Sequence, residues 1–437
     1  MSEPARNLNL DAAVDDVEKR YITAHPKSQA RYERALKTMP GANTRTVLHY
    51  DPFPVTIVSG NGARVKDLDG HEYRDMLGEY TAGLYGHSQP RILEALTQVI
   101  ESGMVLGGPN EYEAQLAELM CARFPAVDMV RFCNSGTEAN MMCVSLARAI
   151  TGRRYVVGFH GGYHGGLMAF PGQDVSPMNA SKDVLLIDYN APEAVRDLMQ
   201  RCGDDVAAII LEPMMGGGGC IPASTEFLAS IREETERSGA LMIFDEVMTS
   251  RLAPGGMQER TGVTPDLVAL GKYLGGGSSF GAFGGRRDLM ERLDPRRADA
   301  LVHSGTFNNN VMTMVAGLTG LRDILTPAET NRLNAAGDSL RQRLQDACDS
   351  RGIPVQVMGL GSMICIHFQS TPIERPADTE ETLPGTRKLL QLEMNLRGFY
   401  LSRRGFMSLS LPLTAGDYDH CVTTFGQFLD DNAGVLS

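Results

Sequence analysis

Five short apolar runs limit what this chain can fold into more than any other feature. They are YVVGF (155–159), DVLLIDY (183–189), AAIILEP (207–213), LMIFDEV (241–247) and DLVAL (266–270). Each is continuous rather than alternating and too short for a helix. That is the pattern of strands in a parallel sheet covered on both faces. Helical patterns lie between the runs, which predicts an α/β fold with a mostly parallel, doubly wound sheet. Ligands bind such sheets beyond the carboxyl ends of the strands. Residues that directly follow the runs are therefore the first candidates for chemistry.

The rest of the chain frames that sheet. Residues 10–38 carry a charged helical pattern in which Val17, Tyr21, Tyr32 and Leu36 are available to pack. The irregular stretch PGANTRTVLHYDPFPV (40–55) follows, then short strands near 55–58 and 64–67 with NG and DG turn signals beside them. A long helix is expected over 328–351, an apolar segment at 359–368, and helices near 386–398 and 416–430. The expected organisation is an N-terminal segment (1–74) that forms part of a small domain, a large domain (75–330) and a C-terminal small α+β domain (331–437). With 43% apolar residues the chain can bury a large core, and a net charge of −12 argues against nucleic acid or an anionic membrane as the main partner. The longest apolar stretches, such as VAAIIL (206–211), are far short of a membrane span. The N-terminus has acids and no apolar core, so it does not read as a signal or transit peptide. The eight cysteines form no CxxC pair. The reading is free thiols in a reducing compartment, with the cytoplasm as the expected location.

Four segments carry residue types suited to catalysis. NSGTEAN (134–140) follows the apolar run MVRFC and opens a helix, so Ser135, Gly136 and Thr137 sit at a helix start that favours an anion; simple capping is the alternative. FHGGYHGG (159–166) sets two glycines before Tyr163, leaving room for a flat group against its ring. His160 and His164 are four apart, but the glycines argue against a helix and no acidic third ligand follows, so no metal is expected. In LMIFDEV, Asp245 and Glu246 end a buried strand, where a carboxylate is costly unless paired. A protonated pyridine nitrogen would suit as partner; a helix cap or a magnesium ligand are the alternatives. Finally, Lys272 comes two residues after an apolar strand, among glycines that fit neither a P-loop nor a dinucleotide fingerprint. Partial desolvation would favour its neutral, nucleophilic amine.

Together these segments supply an anion cradle, a stacking face, a carboxylate for a pyridinium and a Schiff-base lysine, the four needs of pyridoxal 5′-phosphate (PLP). Asp245 and Lys272 are 27 residues apart, one strand–helix–strand unit, so both could end neighbouring strands. In order and spacing, NSGTEAN, GGYHGG, LMIFDEVMTS and LGKYLGGG resemble the class-III aminotransferases of PLP fold type I, over about residues 20–430. The resemblance implies that Lys272 bears the cofactor and then shuttles the proton, with Asp245 on the pyridine nitrogen and Tyr163 against the ring. It further implies Ser135, Gly136 and Thr137 at the phosphate. HSGTFNNN (303–310) would give Thr306 to the phosphate of the partner subunit, so the resemblance implies a homodimer with shared active sites.

Within that family the chain resembles two groups. It shares LMIFDEVMT and GAFGGRR with glutamate-1-semialdehyde aminomutases. It shares PGANTRTV, EYTAGLYGHS, DEVMTSRLAP, HSGTFNNNVMTM and RGFMSLSLPLT with the aromatic β-amino-acid (β-phenylalanine) aminotransferases. Gly217 stands where the aminomutases carry an asparagine on the cofactor's ring hydroxyl, which counts against them. Arg403 stands where the β-amino-acid enzymes have a proline. Arg45 and Arg404, in two irregular segments, are the candidates for reading substrate carboxylates; surface salt bridging is their alternative. Tyr80 is a candidate wall for an aromatic side chain. The expected reaction is ping-pong transfer of an amino group from a β-amino acid to 2-oxoglutarate or pyruvate, leaving a 3-oxo acid. The alternatives are the aminomutase and a non-catalytic PLP-sensing regulator, for which the chain offers no helix-turn-helix segment or basic patch.

Overall fold

The computed structural model describes residues 9–172, 174–379 and 385–436. At its centre is a seven-stranded sheet in the spatial order Met129–Cys133, Gly281–Gly285, Leu267–Gly271, Leu241–Asp245, Val206–Leu211, Tyr155–Phe159, Val184–Ile187. All five apolar runs are strands of this sheet, and they pair in parallel with one another. Gly281–Gly285 alone runs antiparallel, to both of its neighbours. Its sequence, GAFGG, has too little apolar content to stand out as a strand.

The continuity of the runs has the expected cause. Along Leu241–Asp245, Leu241 and Ile243 enter a core cluster that includes Cys143 and Ala147 of the helix Gly136–Thr151. Met242 and Phe244 enter a second cluster, with Val195, Phe227 and Ile231 of the helices Pro192–Cys202 and Thr225–Ser238. Successive side chains point to opposite faces of a strand, so a strand covered on both faces is apolar at every position.

The terminal segments build the smaller α+β part together. A four-stranded sheet joins Ile57–Asn61, Arg64–Asp67 and Glu72–Asp75 to Phe399–Tyr400, and the NG and DG signals fall in its two hairpin turns. A three-stranded sheet pairs Gln356–Leu360, Met363–His367 and Phe406–Ser408. The long helix is Pro327–Asp349. The pattern over 10–38 is two helices rather than one, Leu10–Ala24 and Pro26–Ala35, because Pro26 opens the second. Val17 and Tyr21 are buried, but Leu36, beyond the second helix, is exposed instead of packed. All eight cysteines are free, and no helix among the described residues is long and apolar enough to cross a membrane.

Candidate active site

Asp245 and Lys272 do sit at neighbouring strand ends: Leu241–Asp245 and Leu267–Gly271 pair in parallel with Asp245 opposite Ala269. Asp245 is 4% exposed. Its Oδ2 accepts hydrogen bonds from Asn140 Nδ2 (2.7 Å) and His164 Nδ1 (2.8 Å), and its Oδ1 accepts from the backbone N–H of Val247 (3.0 Å). Among the described residues it forms no ion pair with a lysine or arginine. The adjacent Glu246 does different work. It accepts from the N–H groups of Met257 and Gln258 and from Gln258 Nε2, capping the helix Gly256–Thr261, and burial pushes its carboxyl up to about 7. Glu246 thus serves the start of a helix whose N-cap is Gly255, and Asp245 is the carboxylate with a face still to be paired.

Lys272 leaves its strand with φ +53. Half-buried, it donates from Nζ to the carbonyl of Tyr80 at 2.6 Å. Burial, and then the charge of Arg45, pull its ammonium down to about 8. Such a group is substantially neutral near pH 8 and can attack a carbonyl carbon.

Three loops converge beside these groups. Ser135 is the N-cap of Gly136–Thr151, its Oγ accepting from Glu138 N at 3.1 Å. A Cβ on Gly136 would lie 2.7 Å from Val247 Cγ1, and one on Gly165 would lie 2.1 Å from Thr137 Oγ1. Only glycine permits these approaches, and they draw the 135–137 helix start, the Tyr163 loop and the Asp245 strand end into one place. Tyr163 is 56% exposed. Its N–H donates to Glu212 Oε1 (3.2 Å), while Glu212 Oε2 accepts from Gly216 N (3.0 Å). Burial, together with the nearby Asp245, pushes the Glu212 carboxyl up to about 7. Sequence reasoning missed Glu212, Asn140 and His164 as site residues. Each is a polar residue within a segment already singled out, Glu212 directly after a strand, Asn140 on a helix and His164 in the Tyr163 loop, but which atoms meet across these elements leaves no mark in the sequence.

The substrate-side candidates gather around Tyr80. Its ring stacks on Phe406 (centroids 5.9 Å apart, 7° between planes), its hydroxyl donates to the Val47 carbonyl (3.2 Å), and the Arg45 guanidinium lies 5.7 Å from its centroid. Arg45 is ion-paired with Glu79. Arg404 reaches the Gly217 carbonyl (3.4 Å), and both arginines act on the Tyr80 hydroxyl, which burial pushes up to about 12. Arg403 stands apart: it donates to Gln391 Oε1 and the Asp51 carbonyl and lies over the Tyr50 ring, tying its loop to the N-terminal segment where a proline would have stiffened it. Thr306 is on an exposed turn beside Phe307 (60% exposed), and its side chain makes no hydrogen bond among the described residues.

A helix start open to an anion, an exposed ring, a buried carboxylate without a lysine or arginine partner and a depressed lysine together fit a phosphorylated pyridine aldehyde. Comparison with known proteins agrees. The Aminotransferase class-III family profile matches residues 47–387, more than half of the chain. The chain belongs to the class-III aminotransferases. It is 46% identical to the β-phenylalanine transaminase of Variovorax paradoxus over 98% of both chains, and the structure of that enzyme superposes with a TM-score of 0.96, covering 98% of this chain and 99% of the other. It is 32% identical to a transaminase solved with PLP bound, with a TM-score of 0.85 over 93% of this chain and 98% of the other. It is also 37% identical to a glutamate-1-semialdehyde 2,1-aminomutase of Brevibacillus brevis, over 79% of this chain and 84% of that one. As a class-III aminotransferase of PLP fold type I, the protein is a PLP-dependent transaminase.

Proposed function

We propose that this transaminase takes the amino group of an aromatic β-amino acid, β-phenylalanine or a near analogue, and passes it to 2-oxoglutarate or pyruvate. The observation that carries this reading is the arrangement around Tyr80: a stacked pair of aromatic rings, Tyr80 on Phe406, beside two guanidinium groups, Arg45 and Arg404. Aromatic rings prefer such neighbours for an aryl group, and each arginine fork suits a carboxylate. In a β-amino acid the carboxylate lies one bond further from the reacting carbon than in an α-amino acid. Two arginines offer two carboxylate positions, which also suits a dicarboxylate acceptor. The likeness to the V. paradoxus enzyme supports the same donor class. The chain's Gly217 presents only its backbone carbonyl, taken by Arg404, where the aminomutases carry an asparagine side chain, which counts against that second reading.

PLP, when bound, supplies the electron sink for breaking the bond to hydrogen on the amino-bearing carbon. The chain's own groups have these roles in the proposal. Lys272 holds the cofactor covalently and moves the proton. Asp245, oriented by its hydrogen bonds from Asn140 and His164, pairs with the pyridine nitrogen. Tyr163 covers the ring, and Ser135, Gly136 and Thr137 take the phosphate, with Thr306 of a second copy completing that cradle. The exposed apolar residues Val105, Val302 and Phe307 support a homodimer that covers them. Eight free thiols support a cytoplasmic location. In support of the division 1–74, 75–330 and 331–437, the seven-stranded sheet falls in the middle part, while the four- and three-stranded sheets draw on the outer two.

A donor panel tests the reading. β-Phenylalanine, aliphatic β-amino acids, α-amino acids and glutamate-1-semialdehyde are offered with 2-oxoglutarate or pyruvate. β-Phenylalanine should give the largest kcat/KM. A protein that converts glutamate-1-semialdehyde and ignores β-amino acids would be the aminomutase.

A further inference from the structure

Glu79 opens the motif EYTAGLYGHS and has no part in the function proposed above, yet its carboxylate is ion-paired with Arg45. The two side chains are 50% and 40% exposed, so solvent and substrate reach the pair. The backbone that presents Glu79 is strongly constrained. Gly78, Glu79, Tyr80 and Thr81 all have positive φ, at 53, 47, 51 and 81°. Asp75 Oδ1 accepts from the N–H groups of Leu77 and Gly78 (both 2.9 Å), while its Oδ2 bonds His87 Nε2 (2.9 Å). Gly78 lies so close to the Ser408 carbonyl that a Cβ would come within 2.5 Å of it. Three successive non-glycine residues in this region persist only where the surroundings impose them, and such strain gathers at ligand sites.

We propose that Glu79 determines specificity as a built-in competitor: its carboxylate occupies Arg45 until a substrate carboxylate displaces it. The proposal rests on the reading of Arg45 as a carboxylate-binding residue. One guanidinium fork takes both oxygens of a single carboxylate, and two carboxylates on it repel, so an arriving acid exchanges with Glu79 instead of joining it. Because the turn is fixed, Glu79 returns when the acid leaves. Glu79 therefore lowers the affinity for every acid that uses Arg45, substrate and product alike, and leaves amines without a carboxylate untouched. A residue that merely propped up Arg45 would do the reverse, and its loss would weaken acid binding.

The test is a calorimetric titration of the cofactor-loaded protein with 3-phenylpropanoate, which has the aryl and carboxylate groups of β-phenylalanine but no amine and cannot react. Glu79→Gln keeps the shape and removes the charge. Exposed ion pairs contribute little, so releasing Arg45 should tighten binding by about two- to fivefold, and high salt should shrink the gain. The KM for β-phenylalanine should fall with it, while that for 1-phenylethylamine stays. An unchanged or weaker Kd in Glu79→Gln overturns the proposal. Arg45→Gln separates the two readings. If it weakens binding of the acid while Glu79→Gln brings no gain, the role of Glu79 alone fails; if it leaves the Kd unchanged, the carboxylate role of Arg45 fails and the competitor with it.

Discussion

Capture of PLP by the cofactor-free protein should depend on pH in a way that the surroundings of Lys272 dictate. Only the neutral amine attacks the cofactor aldehyde. Burial and Arg45 bring Lys272 from an ordinary 10.5 to about 8. At pH 7 a group titrating at about 8 is roughly one-tenth neutral, whereas one at about 10.5 is about 0.03% neutral, a difference of roughly 300-fold in reactive amine. The rate of capture should therefore climb about tenfold per pH unit at and below pH 7 and level off above about pH 8.5. The assay is rapid mixing of stripped protein with PLP, following the absorbance of the protein-bound cofactor. Arg45→Gln removes the second cause and should move the midpoint upward. A rate still rising at pH 10, or a midpoint that Arg45→Gln leaves in place, would refute the reasoning. The same shift bears on stability. With the folded-state value depressed, the unfolded chain binds more protons between about pH 8 and 10.5, so the cofactor-free fold gains stability as pH rises through that window and lacks this contribution below it.

Asp245→Asn should weaken cofactor retention by roughly 10- to 100-fold, since hydrogen bonds to a charged group contribute about 1.5–3 kcal/mol. Equilibrium dialysis against PLP measures it, and unchanged retention would remove Asp245 from the site. Gly165→Ala puts a methyl group 2.1 Å from Thr137 Oγ1, so it should push the Tyr163 loop off the helix start. PLP affinity should fall while circular dichroism of the cofactor-free protein stays native; normal affinity would show that the two loops need not touch. Mixing Thr306→Ala chains with Lys272→Ala chains should restore activity, because a hybrid dimer has one site with neither change; absence of recovery would count against a site shared between subunits.

Strands buried on both faces were legible because burial leaves a one-dimensional mark, an unbroken apolar run. Asp245 and Lys272 were legible for a related reason, as charged residues directly after such runs. Gly281–Gly285 was hidden because its fit depends on the absence of side chains, which reads as a loop. Asn140, His164 and Glu212 were hidden because their roles depend on which atoms meet across elements: Asn140 and His164 are 24 residues apart, yet Asn140 Nδ2 donates to the His164 carbonyl and both side chains bond Asp245. The exposure of Leu36 was hidden because a helical period continues on paper past the point where the helix ends at Ala35. Arg403 was legible only as a lost proline, since its partners, Gln391 and Asp51, lie 12 and 352 residues away and meet it only in the fold.

The antiparallel strand also bears on when the proposed cofactor site can form. Gly281–Gly285 is the last of the seven strands in chain order, yet it fits between the first, Met129–Cys133, and the sixth, Leu267–Gly271. A nascent chain that has emerged only to Phe280 already contains Ser135, Tyr163, Asp245 and Lys272. Its first strand, however, has nothing to pair with, because neighbouring strands bond at about 4.8 Å and this gap is two spacings wide. The missing strand must slide in against the Ser135 carbonyl, which would lie 2.2 Å from any Cβ at position 281. Such pairing between distant parts of a chain forms slowly. The proposed anion cradle and the lysine thus reach their final separation in the last stitch of the sheet, and a ribosome-bound chain shorter than about this length should leave PLP in solution.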